Sequence, residues 1–191
     1  TKHGTCCGAA PPFEMFYRTS KEPADISDWM PEKVTSQNTE GPTGYCYSNP
    51  MLLQEENNRI YLFWRGGNFR PNFSTSSDLG KSWSPVKTLI NHKEGQGNVR
   101  PYVKVSGNGQ DKIHFAFTDG HPRVELQNSI YYMAYREGHV QKANGEIIAR
   151  LDSAPVAPDE TDKVYDGSLT NEKAWIWDVA EDTKGNPVIA Y

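Results

Sequence analysis

The chain has 191 residues, with 20 Lys and Arg against 24 Asp and Glu, giving a formal net charge of -4. This balance offers no electrostatic basis for binding nucleic acid or an anionic membrane surface, so neither is expected as a partner. The length suits one domain, residues 1–191, and no apolar run approaches the roughly 18 residues of a membrane-spanning helix.

The residue types favour an all-β fold. The chain has 10 Tyr, 7 Phe, 5 Trp, 16 Gly and 13 Pro, the balance produced by many short strands separated by tight turns. A disulfide from Cys6 or Cys7 to Cys46 would favour an extracytoplasmic setting, secreted or periplasmic. Free thiols in a frayed N-terminal segment are the alternative. No cysteine or histidine cluster suggests a metal site, and no cofactor is expected.

The first predicted unit, residues 13–37, is the outer half of a sheet. A strand at 15–19 precedes Asp25-Ile26-Ser27-Asp28-Trp29, a degraded form of the turn motif that follows in the next unit. The chain does not begin with Met, so we expect that the natural start was processed or removed.

Residues 46–93 predict a unit of four strands. Strands at 48–54 and 60–67 are joined by a polar turn, and a further strand enters the octapeptide Ser76-Ser77-Asp78-Leu79-Gly80-Lys81-Ser82-Trp83. Ser76 and Asp78 are expected to bond back to backbone N–H groups, and Gly80 to take a positive φ. Trp83 is then expected to pack its ring over the turn.

This octapeptide fits the pattern Ser-x-Asp-x-Gly-x-x-Trp at every fixed position and resembles a BNR or Asp-box repeat. Such repeats are found in sialidase-like β-propellers. The resemblance spans roughly residues 13–191 and is nearest the branch that contains propeller polysaccharide lyases. It implies a propeller fold, in which the motif itself is a structural turn.

The remaining units repeat the pattern. Residues 98–150 predict a second four-stranded unit, and Pro50 and Pro101 lie 51 positions apart, a spacing typical of a propeller blade. Residues 151–173 lack an apolar period and predict a long loop, and residues 174–191 predict a half-blade. The predicted fold is therefore a partial β-propeller with two complete blades and two half-blades. Because a closed propeller needs at least four blades, the expected partners include further blades or another copy of the chain.

The predicted topology places the loops before each first strand and after each second strand on one face, opposite the octapeptide turn. Arginine forks bind carboxylate or sulfate, amides bind hydroxyls, and flat rings pack on sugar C–H faces. The pattern therefore predicts a poly- or oligosaccharide partner, and an anionic one. The candidate substrate-binding residues are Tyr47, Asn49, Arg65, Asn68, Arg100, Arg123 and Trp175. Asp119, Asn98, Arg70 and Trp177 lie at the same predicted face.

Two residues of this face are candidates for catalysis, His121 and Tyr102. His121 follows a glycine turn, precedes Pro122 and lies between an acid and an arginine. This setting is typical of a functional histidine in a loop. Each candidate also has a structural interpretation: the arginines can pair with neighbouring acids, and Tyr102 can be a core ring.

Three functions follow from the resemblance. Propeller ulvan lyases use paired histidines in one blade and a tyrosine with an arginine in another. Here Tyr47 to Asn49 and Gly67-Asn68 stand where that histidine pair is expected, while Tyr102, His121 and Arg123 fit the second set. If the protein is a lyase, the resemblance implies that Tyr102 or His121 is the base and that Arg100 or Arg123 binds the substrate carboxylate.

The second function is that of a sialidase-type hydrolase, which uses an arginine triad, a tyrosine nucleophile activated by a carboxylate, and an aspartic acid. Arg65, Arg100 and Arg123 are its candidate triad. Its N-terminal Phe/Tyr-Arg-Ile-Pro motif has only a poor match, Tyr17-Arg18-Thr19-Ser20. The third function is a non-catalytic propeller that binds glycans or serves as a scaffold through the same face.

Overall fold

The computed structural model describes residues 15–35, 48–66, 69–92, 100–125 and 127–191. Within these ranges the chain forms fourteen β-strands in four antiparallel sheets, together with three short 3-10 turns and a single four-residue α-helix. No helix of the described part is long and apolar enough to cross a membrane.

The first two sheets follow the chain in order. The first is a hairpin of two strands, β1 (Met15–Tyr17) and β2 (Lys33–Thr35). The second has four strands, each paired with the next: β3 (Asn49–Leu53), β4 (Arg59–Arg65), β5 (Pro71–Ser76) and β6 (Lys87–Thr88). A 3-10 turn at Gln54–Glu56 joins β3 to β4. The second sheet has the up-and-down order of a propeller blade.

The third sheet is the largest. Five of its strands lie in chain order: β7 (Val103–Gly107), β8 (Lys112–Thr118), β9 (Ile130–Arg136), β10 (His139–Gln141) and β11 (Ile147–Arg150). A sixth, β12 (Asp162–Tyr165), also pairs with β9. The fourth sheet is a hairpin of β13 (Asp178–Glu181) and β14 (Pro187–Ala190).

The segment 151–173, for which the sequence predicts a loop, differs from that prediction. It contains β12, 3-10 turns at Leu151–Ser153 and Pro158–Glu160, and helix α1 (Gly167–Thr170). The reason is the length of β9: on this strand, β10 pairs only with Ala134, Tyr135 and Arg136. The other half of the β9 edge pairs with β12, a four-residue edge strand in which Lys163 and Val164 are both exposed, so no apolar alternation marks it in the sequence.

Side-chain alternation along the central strands packs the sheets face to face. Tyr61 and Phe63 of β4 meet Phe115 and Tyr135 of the third sheet in the largest core, with Phe63 and Phe115 in edge-to-face contact at 5.0 Å. The opposite face of the third sheet packs on the fourth sheet through another cluster: Ala116, Ile130, Tyr132, Ala134, Ala174, Ile176 and Val179. The fold is therefore all-β, with blade-like sheets stacked side by side.

Two faces of this stack matter for function. The upper face, as we call it, is the side of the molecule on which β4 and β8 end, at Arg65 and Thr118. The lower face is the opposite edge, where β5 ends at Ser76. In the register of β4 with β5, Arg65 lies opposite Pro71 and Ile60 lies opposite Ser76. Five residue steps of strand separate these pairs, so the two faces lie about 17 Å apart.

Candidate functional site

Tyr102 and His121 come together on the upper face. Tyr102 lies just before β7 and His121 just after β8, and the paired strands bring these positions side by side. The N–H of Thr118 donates to the Tyr102 carbonyl at 2.9 Å, and the Thr118 hydroxyl accepts the Tyr102 N–H at 3.0 Å. The Tyr102 hydroxyl lies 3.3 Å from Nε2 of His121, and the rings meet edge to face at 5.0 Å.

The turn after β8 fixes the orientation of the His121 ring. The N–H of Arg123 donates to Nδ1 of His121 at 3.0 Å, so the proton of the neutral imidazole lies on Nε2 and points at Tyr102. The N–H groups of Val124 and Glu125 donate to the His121 carbonyl at 2.9 and 3.0 Å. A Cβ on Gly120 would lie 2.4 Å from Cγ of Glu125, so a larger residue in this turn would displace the Glu125 side chain.

The surroundings of His121 keep it neutral at neutral pH. Burial lowers the pKa of His121 below its ordinary 6.5, and the positive charges of Arg65, Arg100 and Arg123 lower it further. Three arginines around one imidazole thus produce a positively charged site in a protein whose net charge is negative. Such a site attracts an anionic ligand.

The three arginines occupy different positions. Arg65 is buried, with 5% of its surface exposed; its Nε donates to the Phe69 carbonyl at 3.0 Å, and its guanidinium carbon lies 4.2 Å from the centre of the Tyr102 ring. Arg100 lies 4.2 Å from the centre of the Phe69 ring and is half-buried, whereas Arg123 is exposed. Arg65 therefore packs against Tyr102 from within the protein, and Arg100 and Arg123 are the arginines more accessible to a ligand.

Trp175 forms a wall of the site. Its ring lies 5.7 Å from that of Tyr102 and 6.3 Å from that of His121, and the Arg123 guanidinium carbon lies 5.6 Å from it. The side chain is 38% exposed, so it is available to a ligand. The structure thus brings Tyr102, His121, Trp175 and the three arginines into one cluster.

The other residues predicted for this face either lie apart from the cluster or fall outside the described ranges. Asn49 is the first residue of β3, opposite Phe63, at the same edge of its sheet as Arg65. Tyr47, Asn68 and Asn98 lie outside the described residues, as do Cys6, Cys7 and Cys46 and hence the predicted disulfide.

Asp119 supports the turn rather than the cluster. Its carboxylate accepts the Ser129 N–H at 3.0 Å and the Tyr131 hydroxyl at 3.4 Å. Burial raises the pKa of Asp119 above its ordinary value. No group of three His, Cys, Asp or Glu side chains among the described residues is placed to hold a metal.

Sequence reasoning missed Phe69. Its carbonyl accepts from Arg65, and its ring contacts both Arg65 and Arg100, so it joins these two arginines. Its φ of +61° is unusual for a phenylalanine. The sequence does indicate this role in one way: Phe69 lies in the upper-face loop between Asn68 and Arg70, two residues predicted for that face.

The octapeptide turn lies on the lower face. The Ser76 hydroxyl accepts the Gly80 N–H at 2.8 Å, and Asp78 accepts the Ser82 hydroxyl at 2.6 Å and its N–H at 2.8 Å. The bonds that Asp78 accepts, led by that of the Ser82 hydroxyl, lower its pKa to about 2. The Tyr17 ring contacts Trp83 at 6.1 Å and its hydroxyl donates to the Gly80 carbonyl. The turn is thus a structural element far from Tyr102.

This arrangement defines a class: blade-like antiparallel sheets with an aromatic and cationic cluster on one face and a hydrogen-bonded turn on the other. The chain belongs to the BNR repeat-containing family, whose model matches residues 13–191. No curated protein sequence gives a significant match.

Two solved structures with a similar fold are those of a polysaccharide lyase of family PL25, an ulvan lyase, one of them bound to -[GlcA(1-4)Rha3S]-. Each has a TM-score of 0.60 and 21% sequence identity, and the alignment covers 88% of this chain. This chain spans about 40% of the length of those proteins. At that identity the likeness establishes the fold alone, an all-β fold of the β-propeller type.

Proposed function

We propose that this protein cleaves an acidic polysaccharide by β-elimination at the upper face. The observation that carries the proposal is the Tyr102–His121 pair at 3.3 Å, surrounded by three arginines and Trp175. A propeller polysaccharide lyase with a similar fold supports the same reaction class. The substrate class is a uronate-containing polysaccharide, because its carboxylate matches the positive charge of the site.

In such an elimination a base removes the proton from the carbon next to the uronate carboxylate. The electron pair of that C–H bond forms a C=C bond, the C–O bond to the neighbouring sugar breaks, and the departing oxygen takes up a proton. The reaction is fast only if the negative charge that develops on the carboxylate side is stabilised.

The geometry assigns the base to Tyr102 rather than to His121. Nδ1 of His121 is occupied by the Arg123 N–H, and Nε2 carries the proton that points to the Tyr102 oxygen. The base is then the Tyr102 phenolate, formed when the hydroxyl gives its proton to solvent; Nε2–H and the Arg65 guanidinium, 4.2 Å from the ring centre, stabilise its negative charge until its oxygen takes up the substrate proton. Arg100 and Arg123 bind the substrate carboxylate.

A second function, glycan binding without cleavage, is favoured by one specific observation. The histidine pair that ulvan lyases are expected to carry in the preceding blade is replaced here by Tyr47 to Asn49 and Gly67-Asn68. Binding by the same cluster needs no such pair. The sialidase mechanism is less well supported, because the polar neighbour of the Tyr102 hydroxyl is an imidazole rather than a carboxylate.

The test is digestion of uronate polysaccharides, including one built from the GlcA–Rha3S repeat, followed by the ultraviolet absorbance of the unsaturated product. We expect product from the wild type and a loss of about 100-fold or more for Tyr102→Phe, since general base catalysis contributes that much. His139→Gln, on β10, is the control and should retain full activity. New reducing ends without the absorbance would indicate hydrolysis, and binding without either product would indicate a glycan-binding protein.

A further inference from the structure

A second, open groove adjoins the candidate site at Trp175. It has a volume of about 560 Å³ and is lined mainly by Tyr165, Glu172, Lys173, Trp175, Trp177 and Tyr191. This volume lies within the range of small-molecule and saccharide sites. Since Trp175 also contacts Tyr102, the groove and the candidate site form one continuous surface.

The backbone before β13 presents two tryptophans to this groove. Ala174 and Ile176 are buried in the core between the third and fourth sheets, so the alternate residues Trp175 and Trp177 point outward on the same side. In an extended strand, alternate residues lie about 7 Å apart. The N–H of Trp177 donates to the Ala190 carbonyl at 2.9 Å, which fixes its backbone to β14.

A tyrosine pair forms another part of the groove. The rings of Tyr165 and Tyr191 lie 5.4 Å apart. The Tyr165 hydroxyl bonds to the Thr170 hydroxyl and donates to the Glu172 carboxylate at 3.1 Å, so this ring is held in place. Tyr191 is 57% exposed. The groove therefore offers several flat rings in fixed positions, with charged groups beside them.

Exposed rings of this size are unusual on a surface that has no ligand or partner. Trp177 is 73% exposed, far more than a tryptophan that belongs to a core. Flat rings beside a charged residue such as Lys173 suit a sugar, which has apolar C–H faces and, in an acidic polysaccharide, carboxylate or sulfate groups. The arginine cluster at the Trp175 end of the groove also favours an anionic ligand.

We propose that this groove is a subsite for the acidic polysaccharide, holding sugar units next to the unit that lies at Tyr102. Trp177 and Tyr191 stack on sugar rings, and Lys173 attracts their anionic groups. The inference rests on the proposed function for the identity of the ligand, but it concerns binding and does not depend on turnover.

The test measures the binding of short and long oligosaccharides of the GlcA–Rha3S repeat by calorimetry, in a Tyr102→Phe background that prevents cleavage. We expect Trp177→Ala to weaken binding of the long oligosaccharide about 10-fold and to leave the short one nearly unchanged. Trp177→Tyr, which retains a ring, should preserve most of the affinity. Trp29→Ala is the matched control, since Trp29 is also exposed, at 40%, but lies in the first hairpin.

The outcomes separate the two proposals. If Trp177→Ala weakens binding while the wild type releases no unsaturated product, the subsite stands and the lyase proposal fails. If unsaturated product forms but Trp177→Ala binds the long oligosaccharide as tightly as its parent, the subsite is wrong and the lyase proposal stands. Absence of binding to any oligosaccharide also overturns the subsite. So does a Trp177-dependent dimer in sedimentation, because the groove is then covered by a second copy.

Discussion

At the scale of single residues, the upper face depends on the orientation of one imidazole. The backbone N–H of Arg123 occupies Nδ1 of His121, so its remaining proton points at Tyr102. Protonation of the ring would break the bond from Arg123 and add a charge beside three arginines. The site is thus built to keep His121 neutral, and in the proposed reaction the Tyr102 phenolate is left to accept the substrate proton.

The first prediction concerns the charge state of His121. Because burial and then three arginines lower its pKa, its NMR titration midpoint should fall below the ordinary value of 6.5. Arg123→Gln removes one positive charge and should move the midpoint upward. Arg136→Gln, which removes an arginine paired with Asp111 instead, should leave it in place. A midpoint at or above 6.5 in the wild type would contradict this account of the site.

At the scale of elements, the octapeptide turn and the β13–β14 hairpin stabilise the fold in different ways. The turn satisfies its own backbone through Ser76 and Asp78. The hairpin is held to the third sheet by Glu181, whose carboxylate lies 3.2 Å from Nζ of Lys112 and 3.3 Å from Nε2 of the fully buried His114. The Tyr132 hydroxyl lies 2.8 Å from Nδ1 of the same histidine.

The second prediction concerns the turn. Gly80 has a φ of +83°, so Gly80→Ala should lower the free energy of unfolding by about 1–2 kcal/mol. Leu79 has a φ of +60° and is 65% exposed, so Leu79→Gly should not lower stability, although it is the adjacent residue. Urea unfolding measures both. Because the turn is on the lower face, neither variant should change saccharide binding, and a loss of binding in a folded variant would contradict the assignment of the faces.

The third prediction concerns His114. Burial, and then Lys112, lower its pKa below 6.5 in the folded protein, so the unfolded state binds more protons as the pH falls through 6.5. The stability that the neutral ring contributes is therefore present above pH 6.5 and is lost below it. Denaturant unfolding at several pH values should show His114→Gln to be less dependent on pH than the wild type between about 7.5 and 5.5. An equal dependence in both proteins would show that His114 does not contribute.

At the scale of the whole molecule, the second and third sheets share one core, so neither is expected to fold without the other. Phe115 of β8 is fully buried and contacts Phe63 of β4 edge to face. Strands β3 and β7, from the two sheets, also lie close together, because a Cβ on Gly107 of β7 would lie 3.3 Å from Sδ of Met51 of β3. The upper-face cluster depends on this packing, because Arg65 and Tyr102 come from different sheets.

The fourth prediction follows from the shared core. Phe115→Ala should lower the free energy of unfolding by about 3–5 kcal/mol, because it removes a large buried ring. Fluorescence and circular dichroism should report one common unfolding transition for the wild type and the variant. Two separated transitions would show that the sheets fold independently.

The sequence was sufficient to predict the all-β antiparallel fold, because strand alternation and turn residues act locally. It also assigned Tyr102, His121 and Trp175 to one face, because each lies beside the end of a predicted strand. It did not predict β12, which is only four residues long and has no apolar alternation, nor the position of Arg65 against Tyr102. That contact depends on how two sheets pack, which no local pattern in either sheet records.

The most direct measurement is a crystal structure of Tyr102→Phe with an oligosaccharide of the GlcA–Rha3S repeat. We expect a uronate carboxylate within hydrogen-bonding distance of Arg100 or Arg123. We also expect the C–H bond that the reaction breaks to face position 102. A saccharide bound at the lower face near Gly80, or one bound at the upper face with its carboxylate directed away from both arginines, would contradict the account.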